Sequence, residues 1–503
     1  LPGALPVSRQ LMTDASQFLD QLANSESANF ELQEDLASAY LRLADVQGSF
    51  QSGNLGEMEA ASKNLMKTYA MGTTLLDARP RDPKVLRLMM DVLTSLYRDD
   101  KRVSNFDAAR THMSAALDLT RRLEVVEPGD FGARLSEADC LQNLAMIYGH
   151  HDGKYDEALK LVRQAEAITA NLLAKKPDNA LARLALARAL TGEGLYLSAG
   201  KSDTLAADKL YLRAIEEDRI LMKQDPNNLD YVTGLVGNLY RVGSHETRNN
   251  ELAKAKSTLQ EANSLIRSAI EKSRQDMYLQ YVSAKILEGL IDVNVKMGDV
   301  ESLQGYLSDL GNASKTLLKA DPKSVDYINV AANVDYEAAR IGLVRNDLVA
   351  ALEKYQRAYA NLLPIAKGDS NMTGVLHVYE NEFSDDLLTH GHAGEAIKVL
   401  SQGIDTLESS PFDKNGDFYR HSQANLHFRL GRVYGDYAKT VEFRQRAHML
   451  ERSMTFYSLA KKDITSLVQD KKASPKEQEY LSTAEAELSK GVSSQSKVIA
   501  RQP

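Results

Sequence analysis

Along the chain, a small residue, a large apolar residue four positions on and a second small residue three positions later recur as a unit. The copies are Ala109-Met113-Ala116, Ala158-Val162-Ala165, Ala207-Tyr211-Ala214, Ala255-Leu259-Ala262 and Ala351-Tyr355-Ala358. Looser copies stand at Ala61-Leu65-Thr68, Leu303-Leu307-Leu310, Ala396-Leu400-Gly403 and Ser453-Tyr457-Ala460. From Ala61 to Ala351 each copy follows the previous one by 48 or 49 residues. Offsets of four and seven put the three side chains on one helical face, and the small ones let a neighbouring helix come close. Each copy therefore predicts a packed helix.

Punctuation falls at a constant phase between the copies. Asp82-Pro83, Glu127-Pro128, Lys176-Pro177, Asp225-Pro226 and Asp321-Pro322 are expected to end one helix and, with the acidic residue as cap and Pro at the first helical position, to open the next. Ser474-Pro475-Lys476-Glu477 has the form of a capping box. A second set of breaks, Gly149 to Gly153, Gly200 to Asp203, Gly243-Ser244-His245, Gly298-Asp299 and Gly391-His392, predicts a turn inside every period. Each period then reads helix, turn, helix.

The two helices differ in pattern. In the second, as at 347–363, Leu348, Ala351, Leu352, Tyr355, Ala358, Tyr359 and Leu362 form one stripe and leave Glu353, Lys354 and Arg357 outside it. In the first, as at 180–190, Leu181, Leu184, Ala185, Leu186, Ala187 and Leu190 wrap most of the circumference. A single hairpin cannot bury that surface, so copies must stack. Nine hairpins are predicted, with first helices near 31–47, 84–98, 132–148, 179–198, 228–242, 277–297, 324–344, 371–389 and 417–437. The expected fold is all-α, an α-solenoid organised as an N-terminal cap (1–30), helical repeats (31–410) and a C-terminal repeat with capping helices (411–503).

Length agrees with an array, since 503 residues are about three times the usual single domain. Net charge is -8, from 61 Lys+Arg against 69 Asp+Glu, with no long block of one sign, which argues against a nucleic-acid partner. The one cysteine, Cys140, lies among Ala138, Leu141 and Leu144 and reads as a buried thiol, leaving the redox compartment open. No apolar run of eighteen residues exists to span a bilayer. The start at Leu1-Pro2-Gly3 suggests a segment of something longer.

With Val236-Gly237 and Tyr240 on a first helix, Leu144-Ala145 and Tyr148 on another, and the alanine motif on each following helix, the pattern resembles the tetratricopeptide repeat. Its period is fourteen or fifteen residues longer than the usual 34 of that family, which predicts longer helices and turns. The segment Leu36 to Gly48 followed by Asn54-Leu55-Gly56 further resembles the repeat region attached to bacterial eukaryote-like serine/threonine protein kinases. The family implies a right-handed superhelix whose concave wall is lined by first helices and receives a peptide or protein. It points to Gln142, Met146, His150, Tyr231, Asn238 and Arg241 as wall residues. The kinase resemblance implies a regulatory region on the extracytoplasmic side of a membrane-anchored protein.

Chemical motifs fail on context. Asp130-Phe131-Gly132 lacks the catalytic and glycine-rich loops of a kinase. Gly200-Lys201-Ser202 lacks the earlier glycine and the strand of a phosphate loop, with Leu195 in the glycine's place. Asp413-Lys414-Asn415-Gly416-Asp417 misplaces the glycine of a calcium loop and ends it on Ala424. His150-His151-Asp152 and His390-Gly391-His392 lack a second ligand pair, so no metal is expected. Lys471-Lys472 reads as charge at a helix C-terminus. No nucleophile with a base is visible, and no catalytic residue or cofactor is expected. The expected function is protein or peptide binding. The alternatives are a small-molecule sensor, or a scaffold that self-associates as a homo-oligomer or serves a winged-helix regulator.

Overall fold

A computed structural model of the protein describes residues 4–25, 30–48, 58–103, 105–201, 203–273, 276–367 and 369–499. Among the described residues there are twenty α-helices and no strand. The first helices of nine successive hairpins are α2 (Phe30–Gly48), α4 (Pro83–Arg102), α6 (Phe131–Met146), α8 (Ala180–Lys201), α10 (Leu229–Arg248), α12 (Met277–Met297), α14 (Val325–Val344), α16 (Ser370–Thr389) and α18 (Asp417–Thr440). Their partners are α3 (Met58–Ala78), α5 (Phe106–Val126), α7 (Tyr155–Lys175), α9 (Thr204–Gln224), α11 (Leu252–Lys272), α13 (Leu303–Ala320), α15 (Leu348–Ala366), α17 (Ala393–Glu408) and α19 (Phe443–Gln469). Helices α1 (Ala4–Ser25) and α20 (Pro475–Ile499) flank them. No helix among the described residues is long and apolar enough to cross a membrane.

The chain gathers into two compact units, residues 1–238 and 239–503, with the division inside α10. Within each unit, consecutive helices pack on one another and several first helices also touch the next first helix, as α6 does α8 and α14 does α16. That double contact explains the two sequence patterns. A first helix meets neighbours on several sides, and α14 buries Val330, Ala332, Tyr336, Ala339, Ile341 and Leu343 around most of its girth. A second helix buries one stripe.

The motif alanines are the contact surface. Ala109, Ala116, Ala158, Ala165, Ala207, Ala214, Ala255, Ala262, Ala351 and Ala358 are all 0% exposed. In the looser copies, Thr68, Leu303, Leu310, Ala396, Ser453 and Ala460 are buried too. Gly403 replaces alanine in its copy for a visible reason, because a Cβ there would collide with the Glu380 carboxylate.

Hairpin follows hairpin through one repeated joint. The backbone N–H of Asp82, Asp130, Asn179, Asn228, Asp276 and Ser324 donates to the carbonyl three residues earlier, on Arg79, Glu127, Lys176, Asp225, Ser273 and Asp321. Side chains then cap the new helix: Asp82 accepts from Lys84 N at 2.9 Å, Asp130 from Ala133 N at 2.7 Å, Asn179 from Ala182 N at 2.8 Å. Thus the expected proline at the first helical position holds for Pro83, while Pro128, Pro177, Pro226 and Pro322 sit inside the joint, two residues before the cap. The capping box at Ser474 is formed in both directions, with Ser474 N to Glu477 Oε2 at 2.7 Å and Glu477 N to Ser474 Oγ at 3.2 Å.

Three glycines taken as breaks lie within helical backbone instead, Gly200 among them, in the last turn of α8 against Tyr155. Gly243 is inside α10, which runs to Arg248, and a Cβ there would lie 2.7 Å from Leu259 Cγ. Gly149 lies in a π-helical turn, Ile147–His151, that prolongs α6, and a Cβ would strike the Tyr196 ring. All three serve close approach between helices. Gly298 and Gly391 do turn the chain, with φ of 68° and 82°.

Candidate functional site

In the first unit the first helices leave a polar groove. On α4, Asp91, Thr94, Arg98 and Lys101 follow at offsets of three, four and three, so they share one stripe. Two adjoining cavities of about 500 and 460 Å³ open on it and share Thr94 and Arg98. Helix α2 contributes Arg42 and Asp45, α6 contributes Asp139 and Gln142, and α8 contributes Arg188.

The carboxylates here touch solvent yet are withdrawn from bulk water by the surrounding walls. Burial raises the pKa of Asp45, with Arg98 opposing the shift, and of Asp91, with Asp45 adding to it. Burial also raises Asp139 against the pull of Arg188 and Arg98. The same withdrawal lowers the Lys101 ammonium. Arg102 is committed to Asp99 and Arg188 reaches Asp230 at 3.4 Å. Among the described residues no carboxylate comes within ion-pair distance of Arg98 or Lys101, and Lys101 Nζ lies 3.8 Å from Met146 Sδ. Two cations on one helix face, within a partly dehydrated groove, make a receptive place for an anionic group.

In the second unit the equivalent face is closed by its own polar network. Arg340 on α14 is 2% exposed and binds Asp386 at 2.7 Å, Asp292 at 2.8 Å and Glu337 at 3.5 Å. Burial works against the Asp292 carboxylate, but Arg340 and Lys296 outweigh it and hold its pKa below the ordinary value. Asn333 donates to Glu288 at 2.6 Å and accepts from Tyr379, whose ring stacks on Tyr336 at 4.0 Å. Arg429 and Arg432 of α18 share Asp385. Most of these links join residues 44 to 48 apart in sequence, one period, and so tie α12, α14, α16 and α18 together.

The wall residues expected from sequence separate into different settings. Gln142 lines the 460 Å³ cavity and donates to the Ala185 carbonyl at 2.9 Å. Met146 borders Lys101, and His150 is exposed, with its ring edge-on to Tyr196 at 5.8 Å. Tyr231 is 8% exposed and packs with Leu184 and Leu221. Asn238 is 2% exposed, donating to Asp218 at 2.9 Å and accepting from Thr191 at 2.9 Å. Arg241, in the second unit, is partly exposed. Sequence reasoning missed Arg98 and Lys101, although their place on the Asp91 stripe was available as a signal.

Other candidates resolve into structure. Asp130 of Asp130-Phe131-Gly132 is the N-cap of α6. Asp152 pairs with Arg110 at 2.9 Å, and His390 closes the C-terminal end of α16. Lys472 pairs with Asp417. Cys140 is buried, and its thiol pKa is pushed up to about 12 by burial, with Asp139 and Glu137 adding to the shift. Among the described residues no group of three or more His, Cys, Asp or Glu could hold a metal. Asn54-Leu55-Gly56, Leu1-Pro2-Gly3 and Ser202 lie outside the described residues.

No protein-family model matches the chain, and no curated protein matches it by sequence. Among solved structures, the apo form of RapI aligns with 80% of this chain and 96% of its own, at 14% identity and a TM-score of 0.48. A Rap protein complexed with competence and sporulation factor aligns over 86% and 100%, at 14% identity and 0.42. The human IFIT1 dimer with m7Gppp-AAAA aligns over 89% and 77%, at 14% identity and 0.36. At these values the fold rests on the chain's own helix pairing: a tetratricopeptide-like array of helical hairpins.

Proposed function

We propose that the chain is a protein-interaction module whose first-unit groove receives an extended peptide carrying an acidic side chain or terminus. The observation that carries this reading is the pair Arg98 and Lys101, cationic, on one stripe of α4 and without a carboxylate at ion-pair distance among the described residues. Asp91 and Asp139 flank them and favour a peptide with basic residues to either side of its acid. Gln142 lines this groove and is proposed as a contact, as is Met146, which borders Lys101. The resemblance of the segment from Leu36 to Gly48 to kinase-linked repeats supports a regulatory region of a bacterial serine/threonine kinase. A kinase core in the same reading frame is the observation that decides parentage.

The test is a fluorescence-anisotropy screen of a peptide library sorted by charge, with a single-stranded RNA as a second arm. Peptides with one acid between basic residues should bind, and Arg98→Ala should cost about 1.5–3 kcal/mol, the usual value of a charged hydrogen bond. Equal affinity for neutral peptides, or undiminished binding by the variant, would reject the reading. Preference for RNA would replace it.

A further inference from the structure

We propose that an open cavity between α16, α18 and α20 is a binding site for a small zwitterion of free amino-acid size. It lies wholly in the second unit, measures about 290 Å³ and is lined by His377, Asn381, His421, Asn425, Lys476 and Tyr480, among others. Volumes of this order suit small polar ligands.

Its floor holds two buried polar atoms with no hydrogen-bond partner, His377 Nε2 and Asn381 Oδ1. The residues stand four apart on α16, one helical turn, and His377 is only 7% exposed. Orphaned polar atoms in a folded interior need an explanation, and a ligand site is one.

The surroundings fix what these atoms can do. His377 Nδ1 lies 2.7 Å from Glu380 Oε2, and Glu380 is 0% exposed and also accepts from Tyr359 at 2.9 Å. Gly403 leaves the space that carboxylate occupies. Glu380 engages Nδ1, which leaves Nε2 as the ring atom still to be partnered, beside the acceptor Asn381 Oδ1. With Nδ1–H directed at Glu380, Nε2 is a second acceptor, and an ammonium group supplies N–H donors to both. On the α20 side, Lys476 is exposed, lies 5.8 Å over the Tyr480 ring, and has no carboxylate at ion-pair distance among the described residues. Nearby Glu477 is already engaged with His421 at 2.6 Å and with Ser474. Acceptors from α16 and a cation from α20 lining the same cavity complement a molecule with an ammonium at one end and a carboxylate at the other. Val378, Leu426 and the Tyr480 ring leave apolar surface for a side chain.

The experiment uses the full chain and the twenty free L-amino acids, one at a time, by thermal shift and then isothermal titration. At least one should raise the melting temperature saturably, as ligands of the folded state do. Its N-acetylated and its amidated forms should bind at least about tenfold more weakly, the worth of one charge-assisted hydrogen bond. Asn381→Ala and Lys476→Ala should each weaken binding by a similar factor. Gly374→Leu should abolish it while the helical circular-dichroism signal persists, because a Cβ there meets nothing nearer than Phe418 at 3.9 Å and the added side chain enters the cavity. No response to any amino acid, equal binding of the capped forms, or binding that survives both Asn381→Ala and Gly374→Leu would overturn the proposal. Loss of fold in Gly374→Leu leaves the decision to the wild-type panel and Asn381→Ala.

Discussion

Asp218 on α9 is 1% exposed, and burial pushes its pKa from 3.8 to about 6, with the hydrogen bond from Asn238 and the charge of Arg188 opposing and Glu217 adding. An acid whose folded pKa exceeds its unfolded one binds protons more tightly when folded. Stability therefore falls as pH rises from about 4 to about 6 and levels above that window. Asp218→Asn keeps an acceptor for Asn238 without the buried charge. The variant should match the wild type near pH 4 and exceed it at neutral pH by about 1–3 kcal/mol in urea unfolding. A loss of stability at neutral pH would show that the ionised carboxylate is needed. None of this was visible in sequence, where Asp218 reads as one more acid beside Glu216 and Glu217. Its burial follows from α10 packing over it, a contact between residues twenty apart. The motif alanines were legible because their function is steric and local to one helical face. Gly149 and Gly243 were misread because a glycine that admits a neighbour's ring or Leu259 looks, in sequence, like one that bends the chain.

At the level of elements, the spacing of small residues stated which helix surfaces meet. Gly194 and Ala207 mark the meeting of α8 and α9: a Cβ on Gly194 would lie 2.7 Å from the Tyr211 ring and 3.1 Å from the Ala207 carbonyl. Ala207→Arg would force a charge into a contact without space or partner. It should cost several kcal/mol, read as a lowered melting temperature, and an unchanged melt would contradict the packing register. Arg340 makes the opposite case, a charge that ties α12, α14 and α16 because its partners come from all three. Arg340→Ala should destabilise the second unit by about 3–5 kcal/mol, since it removes the buried cation that Asp292 and Asp386 share and that helps keep the Asp292 carboxylate ionised. An effect below about 1 kcal/mol would mean the network is solvated. This clamp was not legible, since nothing in the spacing of Asp292, Arg340 and Asp386 distinguishes them from solvated charges on first helices.

For the whole molecule, neighbour-only packing governs how damage spreads. Within each unit a helix contacts the helices beside it in sequence and, for several first helices, the next first helix, so a local defect should stay local. In native-state hydrogen exchange, Ala207→Arg should speed exchange in α8 and α9 and their neighbours while α14 to α18 keep wild-type protection. Uniform acceleration across all hairpins would show global cooperativity instead. Periodicity alone revealed the fold class, because stacking is the one way to cover helices that are apolar around most of their circumference. The candidate groove was only half legible: its helices followed from the pattern, but which polar residues face a cavity depends on side chains brought together from four hairpins.

The joint between hairpins has an implication for ancestry. Eight of these junctions, those at Asp369 and Gly416 included, close with the same backbone bond across the same number of residues, so the end of one hairpin and the start of any other are interchangeable at the main chain. Unequal crossing-over between such copies would lose or duplicate a whole hairpin and still rejoin compatible ends. The architecture can thus lengthen or shorten by complete modules more readily than it can tolerate a few residues gained within a joint.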